Sequence, residues 1–423
     1  MAADPAREPL GILGGLTAAA FLFRHWQKRP LLVRRAFPGF RDPLTPHELA
    51  GLSTEPHVES RLVLERGGRR PWTVVRGPQD AARLRRLPRS HWTLLVENAD
   101  AHVPALADLL DAFEFLPRWR VDDVMVSVAP RGGTVGPHID RYDVFLLQGR
   151  GRRRWQIDER AREIHHPGLD LRILRSFHAT AEWVLDPGDM LYLPPRLAHH
   201  GVALEDCLTY SIGFRAPGTR DLLFGCLERM ARRADPGALY EDADLEPQEE
   251  PGEIGARALA RVRGMLAEAW DPASSADLPR LVGEILTEPR AGGPVSRARR
   301  LTTAEVSTRL RRGAGLVRSP ASRAAFVRRG RSADLFVDGH VHALPVSLAR
   351  AASLLTRTRR IGAREILPFL RRERFLALLA DLVNAGSYAF ARAAVERPSP
   401  SGARSAPGRS RTARGSRSRG GRR

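Results

Sequence analysis

A histidine and a carboxylate stand two residues apart near the middle of the chain, at His138 and Asp140 in the segment GPHIDRYDVFLLQGRGRRRWQI (136–157). In an extended strand, residues two apart point the same way, so this imidazole and this carboxylate can reach one point. With one further histidine they would form the 2-His-1-carboxylate triad, which binds Fe(II) and leaves three coordination positions open. A lone His-x-Asp arises often by chance. The prediction therefore depends on finding a second histidine and a group that anchors a cosubstrate.

The second histidine is expected at His199 or His200. A Gly-Asp turn, a short apolar strand and Pro194 precede this pair, in the order in which a cupin barrel supplies its third ligand. Only one of two adjacent side chains in an extended segment can face the barrel interior. We predict His199, because the His-x-Gly pattern leaves Gly201 to turn the chain behind the ligand. On its own, such a histidine would more often be a packed or solvent-bonded residue.

The arginine run that follows the first strand can be sorted by alternation. Arg153 shares a face with Trp155 and Ile157, whereas Arg152 and Arg154 lie on the other face. The apolar face should be the barrel interior, where a guanidinium is costly unless an anion meets it. Arg153 is therefore predicted to bind the distal carboxylate of 2-oxoglutarate in bidentate geometry. A surface role on an edge strand is the expectation for the other two arginines.

The elements that must position these residues are short strands separated by turn signals every eight to twelve residues, which favours a closed or sandwiched antiparallel β structure. Strands are predicted at 31–33, 60–65, 72–75 (a hairpin around Gly67-Gly68), 92–96, 124–128, 183–185, 190–193 and 208–214. Helices are predicted at 17–27, at 46–52 with Thr45 as the N-cap, and at 103–113. Ser127, on the strand before His138, is expected to add a hydroxyl to the cosubstrate site.

Beyond about residue 221 the pattern becomes helical, with helices predicted at 222–231, 254–270 and 278–286. After a Gly/Pro/Arg linker at 288–298, Thr303 is predicted to cap a helix that ends near Leu310. A hairpin around Asp338-Gly339 covers 335–344, and further helices follow to 390. We predict a catalytic domain at 1–217, a helical region at 218–292, a C-terminal domain at 299–392 and a disordered Arg/Ser-rich tail at 397–423.

Composition limits the classes of protein that remain. The formal net charge is +20, and nine arginines without an acidic residue stand between Arg397 and Arg423. Such a tail indicates an anionic partner, for example ribosomal RNA. The two cysteines cannot form a disulfide framework and have no zinc-like neighbours, which favours a reducing, cytoplasmic compartment. We expect neither a transmembrane segment nor an export signal.

Four stretches together carry a resemblance to a known family: FRHWQKRPLLVRRAFPGF (23–40), FLPRWRVDDVMVSVAP (115–130), the segment 136–157 and DPGDMLYLPPRLAHHGVALEDCLTYSIGFRAP (186–217). In sequence and order they resemble the bacterial ribosomal oxygenases. These are JmjC-type cupin 2-oxoglutarate dioxygenases of the kind that hydroxylates an arginine β-carbon on a large-subunit ribosomal protein. Ala129 and Thr134 depart from the family's serine or glycine in the loop before His138, and the tail is not a family feature.

The resemblance implies Fe(II) ligands His138, Asp140 and His199, with 2-oxoglutarate at Arg153 and O₂ as cosubstrate. It implies an α+β fold: a double-stranded β-helix (jelly-roll) catalytic domain, a helical dimerisation region and a small winged-helix-like domain. A homodimer is expected. A guanidinium substrate needs an acidic or aromatic contact at the mouth of the site, and the candidates are Tyr142, Asp143, Asp122 and Asp123.

Two alternatives stay open at this stage. One is a histidyl hydroxylase of the same superfamily, because the shape of the substrate site decides between arginine and histidine. The other is a nucleic-acid-binding protein with a catalytically silent cupin domain, on the strength of the basic tail and a possible winged helix. Against the second alternative, no helix of the C-terminal region is rich in base-reading side chains, and a silent domain has no reason to keep the triad and Arg153 in register.

Overall fold

The computed structural model describes residues 8–65, 72–169, 171–245, 254–269, 278–289 and 293–391. The predicted Gly67-Gly68 turn, Trp270, the middle of the 288–298 linker and the Arg/Ser-rich tail lie outside these ranges. None of the helices within them combines the length and the hydropathy that a bilayer crossing requires.

The first part of the chain is built on twelve antiparallel strands. They are β1 (Leu31–Val33), β2 (Ser60–Glu65), β3 (Trp72–Arg76), β4 (Trp92–Val96), β5 (Val121–Ala129), β6 (His138–Ile139), β7 (Asp143–Gln148), β8 (Arg153–Asp158), β9 (Ala181–Leu185), β10 (Met190–Leu193), β11 (Ala198–Ala203) and β12 (Cys207–Phe214). An eight-stranded sheet has the order β1-β10-β7-β12-β5-β4-β2-β3, and a four-stranded sheet has the order β6-β11-β8-β9. All the predicted strands are present, which confirms the antiparallel β prediction.

The eight-stranded sheet is buried on both faces at β7, where all six residues are buried. Val144 and Leu146 point towards the four-stranded sheet, where they pack with Trp155 of β8. The intervening Phe145 and Leu147 point the other way, into the largest core of the molecule. This core lies under short helices, namely α1 (Ala18–Arg24), α2 (Pro46–Leu52), α3 (Ala81–Arg85), α4 (Ala99–His102) and α5 (Pro104–Leu109), together with the 3-10 turns Gly11–Leu13, Leu110–Phe113 and Arg118–Arg120. The two facing sheets make the jelly-roll.

The helix starts follow from capping. The Thr17 hydroxyl accepts from the Ala20 N–H, and Thr45 forms a capping box with Glu48, so both predicted starts are confirmed. The first helix ends at Arg24, three residues earlier than predicted, and the chain then turns through Gln27 at φ 57°. The predicted helix at 103–113 is an α-helix followed by a 3-10 turn.

Three helices connect the jelly-roll to the C-terminal part: α6 (Thr219–Arg233), α7 (Ala256–Ala269) and α8 (Leu278–Leu286). Of these, α8 packs on the C-terminal part through Gly283, where a Cβ atom would lie 2.5 Å from the Phe336 ring. By contrast, α6 and α7 leave apolar side chains exposed, including Leu223, Phe224, Leu227, Leu259, Val262 and Leu266.

The C-terminal part has its own core and two three-stranded sheets, β17-β13-β18 and β14-β15-β16. Its elements are α9 (Thr303–Arg311), β13 (Gly315–Arg318), β14 (Ala324–Arg329), β15 (Ser332–Val337), β16 (His340–Leu344), α10 (Ala349–Arg357), β17 (Arg360–Ile361), α11 (Ala363–Ile366), α12 (Glu373–Asn384) and β18 (Tyr388–Ala391), with 3-10 turns at Val346–Leu348 and Leu367–Phe369. The hairpin turn at Asp338-Gly339 is confirmed, and both residues have positive φ (51° and 80°), as a type I′ turn requires.

The predicted cap of the first C-terminal helix was wrong by one residue. Thr302 is the N-cap, because its hydroxyl accepts from the Glu305 N–H while the Glu305 carboxylate accepts from the Thr302 N–H. Both threonines satisfy the sequence preference for the cap position. Only Thr302 has a glutamate three residues ahead to complete a capping box.

Candidate active site

Three predicted ligands come together at one edge of the four-stranded sheet. His199 of β11 pairs directly with His138 of β6, and their ring centroids are 4.2 Å apart. Oδ2 of Asp140 lies 3.9 Å from His138 Nε2 and 3.6 Å from His199 Nε2. Within the described ranges, these residues form the one group of three or more His, Cys, Asp or Glu side chains whose ligand atoms lie within 4.8 Å of one another.

Both imidazoles are held by backbone carbonyls of their own loops. Nδ1 of His138 lies 2.9 Å from the Gly136 carbonyl oxygen, and Nδ1 of His199 lies 3.0 Å from that of Leu197. A carbonyl only accepts, so Nδ1 carries the hydrogen and each Nε2 keeps a lone pair directed at Asp140. Burial, followed by the charge of His138, lowers the pKa of His199 to about 4. Two imidazoles with a free Nε2 lone pair each, together with a carboxylate, form a donor set that fits a divalent transition metal.

His200 points away from this cluster. Its Nε2 makes a 3.0 Å hydrogen bond with the Thr134 hydroxyl, and its ring packs edge-on against Phe177. The same hydroxyl accepts from the Gly136 N–H at 3.0 Å. Thr134, which departs from the family pattern, therefore fixes the loop that leads into His138. It does not line the cavity described below.

The sequence predicted that Gly201 turns the chain behind His199, and this prediction was wrong. The strand β11 continues through Gly201, which pairs with Trp155 of β8. A Cβ atom at position 201 would lie 2.6 Å from the Trp155 ring, so this glycine makes room for the indole. The indole in turn lies under the guanidinium of Arg153, whose Cζ is 5.5 Å from the ring centroid.

Arg153 is a buried cation with an exposed fraction of 4%. Its NH1 donates to the hydroxyls of Ser127 and Thr209, each at 3.2 Å, and none of the ion pairs among the described residues involves it. Its buried Nε has no hydrogen-bond partner. A buried guanidinium held only by neutral hydroxyls fits a carboxylate ligand, because an unpaired buried charge is costly.

The cluster, Arg153 and Ser127 all line an inner cavity of about 350 Å³ between the two sheets. Tyr142 lines the same cavity, and burial together with the Asp140 charge raises the pKa of its hydroxyl well above the usual value. The phenol therefore stays neutral. This volume is in the range of small-molecule sites in proteins.

Asp143 was predicted to contact a substrate, and the structure contradicts this. Its carboxylate is fully buried on the opposite face of β7, where it accepts from the Tyr192 hydroxyl (2.6 Å), Gln27 Nε2 (3.1 Å) and Arg120 NH2 (3.1 Å). The reason is the two-residue period of a strand: Tyr142 and Val144 face the cavity, so Asp143 cannot.

An outer cavity of about 500 Å³ adjoins the inner one and shares Met125, Tyr142 and Ser211 with it. Its wall contains the acidic residues Glu97, Asp122 and Asp123, together with Arg61 and Arg76. Sequence reasoning had named Asp122 and Asp123 as secondary candidates.

Met125 and Ser211 were missed. The signal for Met125 was present, since it lies two residues before Ser127 and so shares its face of β5. Ser211 could not be found in this way, because only the β5–β12 register places it opposite Met125.

Comparison with known proteins gives consistent results. Two family models match, a JmjC domain at residues 108–222 and a ROXA-like winged helix at residues 267–389. The chain is 43% identical over 249 residues to the ribosomal protein uL16 3-hydroxylase of Escherichia coli K12, an alignment that covers 59% of this chain and 66% of that protein. It is 38% identical over 237 residues to a probable ribosomal oxygenase of Haemophilus influenzae, covering 55% and 56% of the two chains. The alignments thus span less than two thirds of these relatives' lengths.

The structural match is more extensive. The structure of YcfD, a ribosomal oxygenase from Escherichia coli in complex with cobalt and 2-oxoglutarate, superposes with a TM-score of 0.74 at 35% identity. The superposition covers 89% of this chain and 98% of that one. It therefore includes both the jelly-roll and the C-terminal part.

Proposed function

The chain belongs to the JmjC-domain ribosomal oxygenases, and we propose that it is a 2-oxoglutarate- and Fe(II)-dependent hydroxylase of an arginine side chain in a large-subunit ribosomal protein. Members of this family use Fe(II), 2-oxoglutarate and O₂. The observation that carries the proposal is the buried guanidinium of Arg153 in the same cavity as His138, Asp140 and His199. The relative with 43% identity is named for uL16, so uL16 is the substrate to test first.

His138, Asp140 and His199 would hold the metal, and Arg153 would hold the distal carboxylate of 2-oxoglutarate. When bound, the metal and the keto acid supply the oxidising chemistry, in which O₂ is consumed, succinate and CO₂ are released, and one oxygen atom passes to the substrate carbon. Ser127 supports Arg153 by accepting from its NH1, and its own hydroxyl hydrogen can donate to the same carboxylate. His199 enters this site already neutral, so no proton has to leave it before a metal binds.

The outer cavity fits the substrate. A guanidinium is matched by the carboxylates of Asp122 and Asp123, and the passage inward is lined by Met125, Tyr142 and Val144. These side chains suit the aliphatic stem of an arginine, which would lead from the acidic wall towards the metal ligands. The neutral phenol of Tyr142 contributes an apolar face without adding a charge.

Anaerobic titration of the protein with Fe(II) and 2-oxoglutarate tests the site, and succinate release on admission of O₂ with uL16 of the same organism tests the reaction. We expect succinate to depend on uL16 and a single arginine of uL16 to gain one oxygen atom in mass spectrometry. Oxygen on a histidine instead would select the histidyl hydroxylase. Binding of 2-oxoglutarate with no oxidation of any ribosomal protein would contradict the proposal.

We also propose that the protein is a homodimer, which the exposed apolar residues of α6 and α7 support. Phe224 and Leu266, for example, are 60% and 64% exposed. A surface of this kind on two neighbouring helices is unusual for a monomer.

A ribosomal substrate would place the enzyme in the cytoplasm, and the basic residues at 397–423 would contact ribosomal RNA through its phosphates. Nine arginines predict a steep loss of ribosome binding with salt. Removing 397–423 and repeating a ribosome pull-down at two salt concentrations tests this. If full-length and shortened proteins bind equally at both, the tail has no such role.

A further inference from the structure

The C-terminal domain reaches the wall of the outer cavity through one side chain. NH2 of Arg323, which precedes β14, donates to Oδ1 of Asp122 at 3.0 Å and lies 3.5 Å from the Asp122 carbonyl oxygen. Asp122 belongs to β5 of the jelly-roll and lines the outer cavity. The guanidinium is 12% exposed and the carboxylate 41% exposed, so this contact between domains is partly shielded from water.

Arg323 is itself fixed by the hairpin of its own domain. Its backbone N–H donates to Oδ1 of Asp338 at 2.8 Å, and the Asp338 N–H donates back to the Arg323 carbonyl at 3.0 Å. The other Asp338 oxygen accepts from the hydroxyls of Ser322 and Ser387, at 2.7 and 2.6 Å. A continuous set of hydrogen bonds therefore runs from the β15–β16 turn to the cavity wall.

Among the residues that the structure describes, the ion pairs of Asp122 include one further cation, Arg215, whose Nε lies 3.6 Å from Oδ1. That distance is longer than a charge-assisted hydrogen bond, whereas the 3.0 Å contact from Arg323 is close to one. Arg323 is thus the group that sets the direction of the Asp122 carboxylate. Without it, the side chain of Asp122 gains rotamer freedom at the place where a basic substrate enters.

We propose that Arg323 is a positioning residue for substrate recognition, which makes the C-terminal domain part of the substrate site rather than a separate packing module. The inference rests on the proposed function, since it assumes that a basic protein segment binds the outer cavity. Its physical basis is that a carboxylate held in one orientation binds a guanidinium more tightly than one that must be ordered on binding.

The chain offers a matched control across the same domain boundary. NH2 of Arg360 contacts both carboxylate oxygens of Asp108 at 3.1 and 3.2 Å, and Asp108 lines neither the inner nor the outer cavity. NH2 of Arg359 contacts the same carboxylate, so Arg360→Ala weakens an arginine–aspartate contact between the domains without touching the substrate site. If weaker docking of the C-terminal domain by itself raised the KM for uL16, this variant would raise that KM as well.

The test compares the KM for uL16 with the KM for 2-oxoglutarate in Arg323→Ala, Arg323→Lys, Asp122→Asn and Arg360→Ala. We expect Arg323→Ala to raise the KM for uL16 about 5- to 10-fold over the wild type, while the KM for 2-oxoglutarate stays nearly unchanged. Arg323→Lys should recover part of the loss, and Arg360→Ala should change neither constant by more than about twofold. The double variant R323A/D122N should be no worse than the poorer single one, because the two residues act through one contact.

If Arg323→Ala keeps the KM for uL16 within about twofold of the wild type, the inference is wrong. The same holds if Arg360→Ala raises it equally. Should Arg323→Ala fail to fold, Arg323→Gln, which keeps part of the stem and an uncharged NH2 group, replaces it in the same comparison. A wild-type protein that oxidises no ribosomal protein overturns the proposed function as well, and that result is seen before any variant is made.

Discussion

At the scale of single residues, burial determines the chemistry of the site. His199 and Arg153 are 2% and 4% exposed, yet one is kept neutral and the other must be charged. An imidazole can lose its proton when water is removed, and its pKa falls accordingly. A guanidinium cannot, so its burial requires an anion. The two residues therefore select different ligands, a metal ion and a carboxylate.

This difference gives a prediction for Arg153→Met. The variant keeps the volume of the side chain but removes the charge, so the KM for 2-oxoglutarate should rise by about 30-fold or more. Metal affinity should change far less, because the three metal ligands remain. Succinate assays over a range of 2-oxoglutarate concentrations measure the effect.

Arg154→Met is the control for Arg153→Met, because its side chain points to the other face of β8, 3.9 Å from Glu182. Equal effects of the two substitutions would mean that Arg153 does not hold the cosubstrate.

A second residue-scale prediction concerns pH. Burial lowers the pKa of His200 to about 4, below the value of about 6.5 in an unfolded chain. Between these values the unfolded chain binds more protons, so stability present above pH 6.5 is lost as the pH falls towards 4. His200→Gln can keep the bond to Thr134 but cannot titrate. We expect the free energy of unfolding of the metal-free wild type to fall between pH 7 and pH 5. In His200→Gln this fall should be smaller by roughly 1–2 kcal/mol, as measured by urea titrations at both pH values. An identical loss in both proteins would contradict the assignment.

At the scale of elements, the site depends on close approach between two strands. β8 carries Arg153, the proposed anchor for the cosubstrate, and β11 carries His199, a proposed metal ligand. Trp155 fits beneath Gly201 where the two strands pair. The alternation of each strand then fixes which side chains face the cavity. Because of the same alternation, Asp143 lies outside the predicted substrate site, where it takes part in a buried hydrogen-bond network with Tyr192.

Gly201→Ala should therefore destabilise the jelly-roll by about 1–3 kcal/mol, because its Cβ atom would overlap the Trp155 ring. It should also raise the KM for 2-oxoglutarate, since the displaced indole supports Arg153. Gly264→Ala is the control, as position 264 lies inside α7 with no atom within 4 Å of a Cβ. Helix propensity predicts a slight stabilisation there. Thermal unfolding of both variants measures the change in stability. A Gly201→Ala variant as stable as the wild type would contradict the packing argument.

At the scale of the whole molecule, the catalytic and C-terminal domains each have their own core, whereas α6 and α7 leave apolar groups uncovered. If these helices form the dimer interface, the double variant F224D/L227D should be monomeric, because it buries two unpaired charges. Light scattering after size exclusion measures the mass. Phe23→Asp, at a 78% exposed position on the jelly-roll, should leave the mass unchanged. A dimer that survives F224D/L227D would exclude this surface.

The sequence by itself determined the strands of the jelly-roll, the helix start near Thr17, the helix cap at Thr45, and the inward face of β8. These features depend on short-range rules, namely period-two alternation and capping side chains, which act between residues close together in the chain. Alternation also required that only one of His199 and His200 face the site, although the reason offered for choosing His199, a turn at Gly201, did not hold.

Only the tertiary structure decided which distant residues meet. The register between β5 and β12 puts Ser211 opposite Met125, and the docking of the C-terminal domain puts Arg323 against Asp122, 201 residues away in the chain. Pairings of this kind depend on how whole sheets and domains pack, and a local pattern carries no information about them. The proposed metal ligands and cosubstrate anchor were accessible from sequence because His138, His199 and Arg153 lie on strands and Asp140 directly follows one. Tyr142, Asp122 and Asp123 were also named from sequence, but the complete wall of the outer cavity was not, because it is assembled from five strands.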